Sequence, residues 1–376
     1  MALPAENVLI IGGGFSGMSA AITLRRLGVN VDLVEIDPDW RTDGAGITVS
    51  GPSLRAIAEI GVLEQFKAHG AINDGVELCD SAGNIFQRMT APPVPGSQGI
   101  TGSGGIMRPV LAKILADATL ASGTKVDLGV TFNHIEDKGD KVTVSLSNGD
   151  VRDYDLVIAA DGVFSSVRKA LFPDAPVPSF TGQGVWRAVV PRYGAARGAM
   201  YLGRQGKIGY TPVSDEEMYI FYTEARPTKD RFEQSELLPH LKGLLEEYTA
   251  PVVCKIREGL NESSRIIYRP LEGMLMPRPW YKGRVLLIGD CVHATTPHLA
   301  SGAGMGHEDA VVIAAEFARG GSLEQVLERY QNRRWERCRM VVTNSARLGE
   351  IEKVGGPPEE HTQLMALSNA AMLAPI

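Results

Sequence analysis

Cysteine is scarce in this chain. Four occur in 376 residues, at Cys79, Cys254, Cys291 and Cys338, with no C-x-x-C pair and no metal-ligand spacing. That excludes a disulfide-stapled module, and reduced thiols in a cytoplasmic compartment are the simplest reading. No apolar run approaches the roughly 18 residues that a membrane-spanning helix needs. The apolar N-terminal stretch holds three glycines and lacks a basic leader, so it reads as a strand and not as a signal peptide. Basic charge is also short. Lys and Arg number 38 against 44 Asp and Glu, a net charge of −6. No basic stripe is left for a phosphate backbone, which argues against a nucleic-acid partner. The one dense basic run, Arg333, Arg334, Arg337 and Arg339, reads as the solvated face of a helix rather than an anion site. His293 and His298 share a loop, but they do not form H-E-x-x-H and no third ligand is visible, so no metal is expected. No internal repeat or long low-complexity segment is found.

What is present is an ordinary globular composition, 44% hydrophobic and 22% charged, on a chain long enough for two domains or one with a large insertion. The most telling stretch is V-L-I-I-G-G-G-F-S-G, Val8 to Gly17. Gly12, Gly14 and Gly17 stand at the spacing G-x-G-x-x-G, after a buried-strand pattern and before a helical one, Met18 to Leu27. Gly12 permits the tight turn, Gly14 lets backbone approach a pyrophosphate, and Gly17 lets helix and strand pack closely. The helix N-terminus offers N–H groups and a positive dipole end to phosphates. A second strand, Val31 to Ile36, carries Glu35, about 20 residues after the turn, where a carboxylate can take a ribose hydroxyl pair.

Two further segments deliver an acid to a strand end. Y-D-L-V-I-A-A-D-G, Tyr154 to Gly162, presents Asp161 and Gly162. R-V-L-L-I-G-D, Arg284 to Asp290, presents Gly289 and Asp290, followed by a loop with Pro297 and glycines that open a helix. Either aspartate can also serve as a helix cap, the plainer and less favoured reading. His298 beside Pro297 can face a substrate as acid or base, although a loop-ordering hydrogen bond is the plainer reading.

The remaining pattern is mixed. Asp43–Ser50 and Ala91–Gly105 are Gly-rich and read as loops, the first of them mobile. Val76–Met89 reads as a hairpin, Met107–Leu120 as a helix, and 125–158 as short strands with an Asn-Gly turn. Residues 181–271 read as an antiparallel sheet rich in Tyr and Trp, interrupted by a helix at Leu237–Tyr248. Ser322 and Gln325 stand at capping-box spacing before a long amphipathic helix. The expected fold is α/β. A discontinuous, Rossmann-like nucleotide domain (1–72, 100–180 and 272–320) carries an inserted antiparallel substrate sheet (73–99 and 181–271). Helices of residues 321–376 close the chain.

Taken in this order, the three motif segments resemble the class A flavoprotein monooxygenases. These are single-component FAD-dependent aromatic hydroxylases of the salicylate, 6-hydroxynicotinate and para-hydroxybenzoate type. The resemblance runs from Val8 to about Arg339; Met305 departs from it, standing where many members carry Asn or Gln. It implies that Gly12, Gly14, Phe15, Ser16, Gly17, Glu35, Arg41, Ala45, Gly46 and Arg108 bind FAD. Asp161, Gly162, Gly289, Asp290, Pro297, Gly302, Ala303, Gly304 and Met305 are implied beside them. It places Pro297, His298, Tyr210 and Tyr222 at the catalytic site. It implies NADH or NADPH as a transient co-substrate and O2 as oxidant. Reduced FAD would capture O2 as a C4a-hydroperoxide and hydroxylate a small aromatic or heteroaromatic ring. A homodimer is compatible with the sequence. A flavin oxidase or reductase without oxygen insertion, and a non-enzymatic FAD module, are the rival readings.

Overall fold

The computed structural model describes residues 3–42, 44–90, 92–95 and 102–376. The apolar run at the N-terminus becomes the strand Asn7–Ile11, buried on both faces as a central parallel strand must be. It pairs in parallel with Asn30–Glu35 on one side and Leu156–Ala159 on the other. Lys125–Leu128 extends one edge, and Val285–Leu287 then Tyr281–Lys282 extend the other, giving a six-stranded sheet. The winding reverses on either side of Asn7–Ile11, which opens a crevice at the carboxyl ends of these strands. The helices Phe15–Arg26 and Gly302–Arg319 pack together beside that crevice.

A seven-stranded sheet forms the second body. Its order is Ile267–Gly273, Ser179–Pro191, Glu217–Ala225, Gly206–Pro212, Gly198–Leu202, Gly75–Asp80, Ile85–Thr90. Strand alternation sorts its aromatic side chains. Trp186, Tyr201, Tyr210, Tyr222 and Tyr268 point to the face covered by the helices Gln234–Leu244 and Pro251–Gly259. The opposite face carries three rows that run across the strands. They are Lys207–Thr223–Val185, Gly209–Phe221–Arg187, and Thr211–Tyr219–Val189.

A small sheet joins the two bodies: Gly46–Val49, Ser103–Met107 and Ala71–Asn73. Here the sequence reading needs correction, because the Gly-rich segments expected to be loops supply two of these strands. Asp43, Ala91 and residues 96–101 lie outside the described residues. The glycines serve close approach rather than flexibility. A Cβ on Gly46 would lie 2.3 Å from the Tyr219 Cβ, and one on Gly105 would lie 2.2 Å from the Pro212 carbonyl oxygen. Thr48 and Thr211 hydroxyls close the same contact at 2.9 Å.

The C-terminal helices Leu323–Val354 and Pro358–Leu373 pack on each other and on Gly302–Arg319. The long helix starts in a capping box, with Gln325 N–H donating to Ser322 Oγ and Ser322 N–H to Gln325 Oε1. Two of its arginines are a second correction, whereas Arg333 and Arg339 are exposed as expected. Arg334 is fully buried, and it donates to Glu308 and Asp309 at 2.7 Å each. Arg337 pairs with Glu308 at 2.7 Å. A long apolar helix face admits two arginines because buried carboxylates on the adjacent helix neutralise them. Among the described residues, no helix is long and apolar enough to cross a membrane.

Candidate active site

The glycine turn is held from both sides. Gly12 has φ +108°, and a Cβ there would lie 2.4 Å from the Ala160 carbonyl oxygen. Glu35 accepts the Gly13 N–H at 2.7 Å and the Asp37 N–H at 2.8 Å, while the Trp40 indole donates to the Gly13 carbonyl at 2.8 Å. Beyond the turn the helix Phe15–Arg26 begins at Gly14 without a side-chain cap, and a Cβ on Gly14 would meet nothing within 4 Å. An uncapped helix N-terminus thus faces open space, as a phosphate site requires. Arg41 lies on the exposed rim, paired with Asp37 at 3.2 Å and Asp39 at 3.4 Å.

Arg108 opens its helix next to this turn. Its N–H donates to the Ala45 carbonyl at 3.0 Å, and its guanidinium lies over the Phe15 ring, 5.2 Å from the centroid. Burial and the neighbouring Arg187 charge lower its pKa, against the pull of Asp290. Asp290 is solvent-accessible although it sits deep between the two bodies. Burial raises its pKa, and His293 and Arg108 oppose that shift.

The turn before Asp290 is fixed by a residue that the motifs do not single out. Asp309 accepts the Gly289 N–H at 2.8 Å, His293 Nε2 at 2.7 Å and Arg334 Nε at 2.7 Å. Burial alone would raise Asp309; His293 and Arg334 outweigh it and hold the carboxyl at about 2. Cys338 approaches the same group, but the Asp309 oxygens are already engaged by three donors. Past His293, the loop makes a single 3-10 turn at Pro297–Leu299. The helix Gly302–Arg319 then begins without a side-chain cap, so Gly302, Ala303, Gly304 and Met305 form a second bare helix N-terminus.

The other expected site residues fall into place unevenly. Asp161 caps a helix: its carboxylate accepts from Ser165 Oγ at 2.5 Å and from the N–H groups of Ser166 at 2.7 Å and Val167 at 3.1 Å. Gly162 follows at φ +83° with open space around it. His298 is buried; Nδ1 lies 2.9 Å from Thr296 Oγ1, and Nε2 lies 3.3 Å from Glu352 Oε2. Burial lowers its pKa, against Glu352. Tyr210 and Tyr222 are the clear correction. Both point away from the nucleotide sheet into the helix-covered core, Tyr210 beside Tyr201 and Tyr222 edge-on to Tyr248. Strand parity instead turns Tyr219 toward the nucleotide body, where it packs with Ala45. Its hydroxyl accepts from Arg187 Nε at 3.0 Å. The row that Arg187 shares with Phe221 on the sheet brings it to the cleft.

A family model described as "FAD binding domain" matches residues 5–345. The chain is 29% identical over 374 residues to 2-heptyl-3-hydroxy-4(1H)-quinolone synthase of Pseudomonas aeruginosa, covering 97% of this chain and 95% of that one. It is 30% identical over 354 residues to aurachin C monooxygenase/isomerase of Stigmatella aurantiaca, covering 92% and 89%. Its fold matches the structure of Klebsiella pneumoniae HpxO complexed with FAD and uric acid. The TM-score is 0.83 at 23% identity, over 98% of this chain and 92% of that one.

Proposed function

The chain belongs to the FAD binding domain family of flavoprotein monooxygenases, and we propose that it hydroxylates a small aromatic or heteroaromatic compound with NAD(P)H and O2. The observation that carries this reading is a convergence. The bare helix N-terminus after Gly14, the accessible but deep Asp290 and the Arg108 guanidinium over Phe15 meet at the crevice of the parallel sheet. An open cradle, a cation and a carboxylate in that arrangement fit a dinucleotide. FAD, when bound, supplies the ring that NAD(P)H reduces and that activates O2.

The residues then divide the work. The turn Gly12–Gly17, with Phe15 and Ser16 at its N–H groups, would hold the pyrophosphate. Glu35 would exchange part of its backbone contacts for the adenosine ribose, with Arg41 at the rim. Arg108, with the Ala45–Gly46 strand that fixes its backbone, and Asp290 would hold the ribityl and flavin end. Asp161 is committed to its cap, so its part is to set the Gly162 turn. The helix N-terminus at Gly302–Met305 would place its dipole against negative charge on the reduced ring, with no reorganisation needed.

The substrate ring would lie between Pro297 and the middle row of the sheet, with Arg187 and Phe221 as its wall. Tyr219 acts as a positioning residue, since it fixes the Arg187 guanidinium. His298 orders the Pro297 loop through Thr296 and Glu352. Cofactor and substrate domains divide as the sheets do, and the C-terminal helices brace both. The test is NADH and NADPH oxidation in air by the yellow, FAD-loaded protein across a panel of phenols, aromatic acids and N-heterocycles. Ring-dependent oxidation with a product one oxygen heavier supports the reading. Oxidation that ignores every ring, with peroxide as the only product, favours an oxidase.

A further inference from the structure

Glycine weakens a strand interior, so a glycine in mid-strand marks a place where something must come close. Gly209 stands in the middle of the strand Gly206–Pro212, paired with Met200 on one side and Phe221 on the other. Its φ is not positive, so no turn demands glycine there. What demands it is Phe221. A Cβ on Gly209 would lie 2.2, 2.7 and 2.9 Å from Cζ, Cε1 and Cε2 of that ring. The far end of the ring therefore rests where a side chain at 209 would stand, and Phe221 leans across the sheet instead of rising from it.

The lean leaves the ring with an unstacked face. Phe221 lies in the middle row of the cleft side, between Gly209 and Arg187, and is half-buried. Tyr219 is the one ring beside it among the described residues, with centroids 5.9 Å apart and planes tilted by 37°. Arg187 is drawn off by its Nε to the Tyr219 hydroxyl at 3.0 Å. No guanidinium lies over the Phe221 ring among the described residues. A half-exposed aromatic face at a cleft is a stacking surface, and offset stacking favours a planar partner. A side chain at position 209 would push the ring up into the cleft or across toward Arg187. Either movement takes room from a bound ring, and overpacking of this kind is costly to relieve.

We propose that Gly209 is a positioning residue for the substrate ring: it lets Phe221 lie over as a stacking platform and so sets the depth of the ring site. The proposal rests on the placement of the ring in the reading above, and it is tested by binding, not by turnover. The test is isothermal titration of the FAD-loaded protein with 2-naphthol and with 5,6,7,8-tetrahydro-2-naphthol, which keeps the phenol and puckers the second ring. The expected result is saturable binding of 2-naphthol, tighter than the puckered compound by about fivefold. Gly209→Ala should weaken 2-naphthol by about tenfold and erase the preference for the flat compound. Phe221→Leu should do the same. Gly209→Ala added to Phe221→Leu should weaken binding little further, because the new methyl then meets no ring. FAD content should stay that of the unmodified protein in all three variants. A Gly209→Ala protein with a lowered urea midpoint but undiminished affinity for 2-naphthol would show a glycine that only fits the sheet together, and would overturn the proposal. Additive losses in the double variant would overturn it too, as would no binding of either naphthol to the unmodified protein. The flat preference and the non-additive loss, found in a protein that inserts no oxygen, would support the platform and refute the hydroxylation.

Discussion

Arg334 Nε donates to Asp309 Oδ1 at 2.7 Å with both side chains fully buried, and the other oxygen of that carboxylate takes the Gly289 N–H. A helix arginine thereby sets the backbone turn that presents Asp290. Breaking a buried pair by removing one partner typically costs about 3–5 kcal/mol, because the other charge stays uncompensated. Arg334→Ala should therefore lower the urea midpoint strongly and reduce FAD retention. Arg339→Ala, which removes a surface pair with Glu336, should leave both within error. Equal midpoints for the two variants would show that the Asp309 node does not hold the turn.

Glu35→Ala removes the acceptor of the Gly13 and Asp37 N–H groups together with the proposed ribose contact. Charge-assisted hydrogen bonds are worth about 1.5–3 kcal/mol each, so FAD should bind at least about tenfold more weakly. Fluorescence titration of the apoprotein gives the dissociation constant. An unchanged value would remove Glu35 from the cofactor site.

Asp290→Ala should keep the fold and lose flavin or its productive placement. Asp290 is accessible and makes no cap bond at the start of its short helix, so truncation removes little packing. Circular dichroism should match the unmodified protein while bound flavin or turnover falls. Full FAD content together with full turnover would show that Asp290 does not face the cofactor.

His307 gives a pH dependence whose sign follows from burial. It is almost fully buried beneath Phe15, with Nδ1 2.8 Å from Ser19 Oγ, and burial lowers its pKa to about 4. In the unfolded chain it titrates near 6.5. Between these values the unfolded state holds the extra proton, so stability falls as pH drops from about 6.5 to about 4 and then levels off. The loss is on the order of 3 kcal/mol. His307→Gln, which keeps a hydrogen-bonding group beside Ser19, should flatten that limb in urea titrations between pH 4.5 and 7. The same slope in both proteins would contradict a neutral buried imidazole.

The legible parts of this molecule were those whose chemistry is local. Gly12, Gly14 and Gly17 announce a turn because neighbouring residues alone make it, and Glu35 and Gly289–Asp290 sit at strand ends that apolar runs mark. The Asp309–Arg334 pair was not legible, since its partners are 25 residues apart and meet only when two helices pack. Tyr219 and Tyr222 show the effect of parity: alternation forces them to opposite faces, but the sequence does not say which face meets the nucleotide body. Gly46 and Gly105 looked like loop residues, yet they clear space where two sheets touch. That finding also removes one motive for expecting a mobile loop beside the flavin, because Gly46–Val49 is a paired strand. A bound ring is expected to accelerate flavin reduction in anaerobic stopped-flow measurements; equal rates with and without the ring would contradict that.

An FAD-loaded crevice that inserts oxygen into a ring leaves a label in its product. The deciding measurement is turnover under 18O2 with NADH or NADPH and the ring compound that stimulates oxidation best, followed by mass spectrometry of the product. The expected product is heavier by one 18O atom, with one reduced nicotinamide consumed per product. An oxidised product without the label, or labelled peroxide with the ring recovered unchanged, would contradict it.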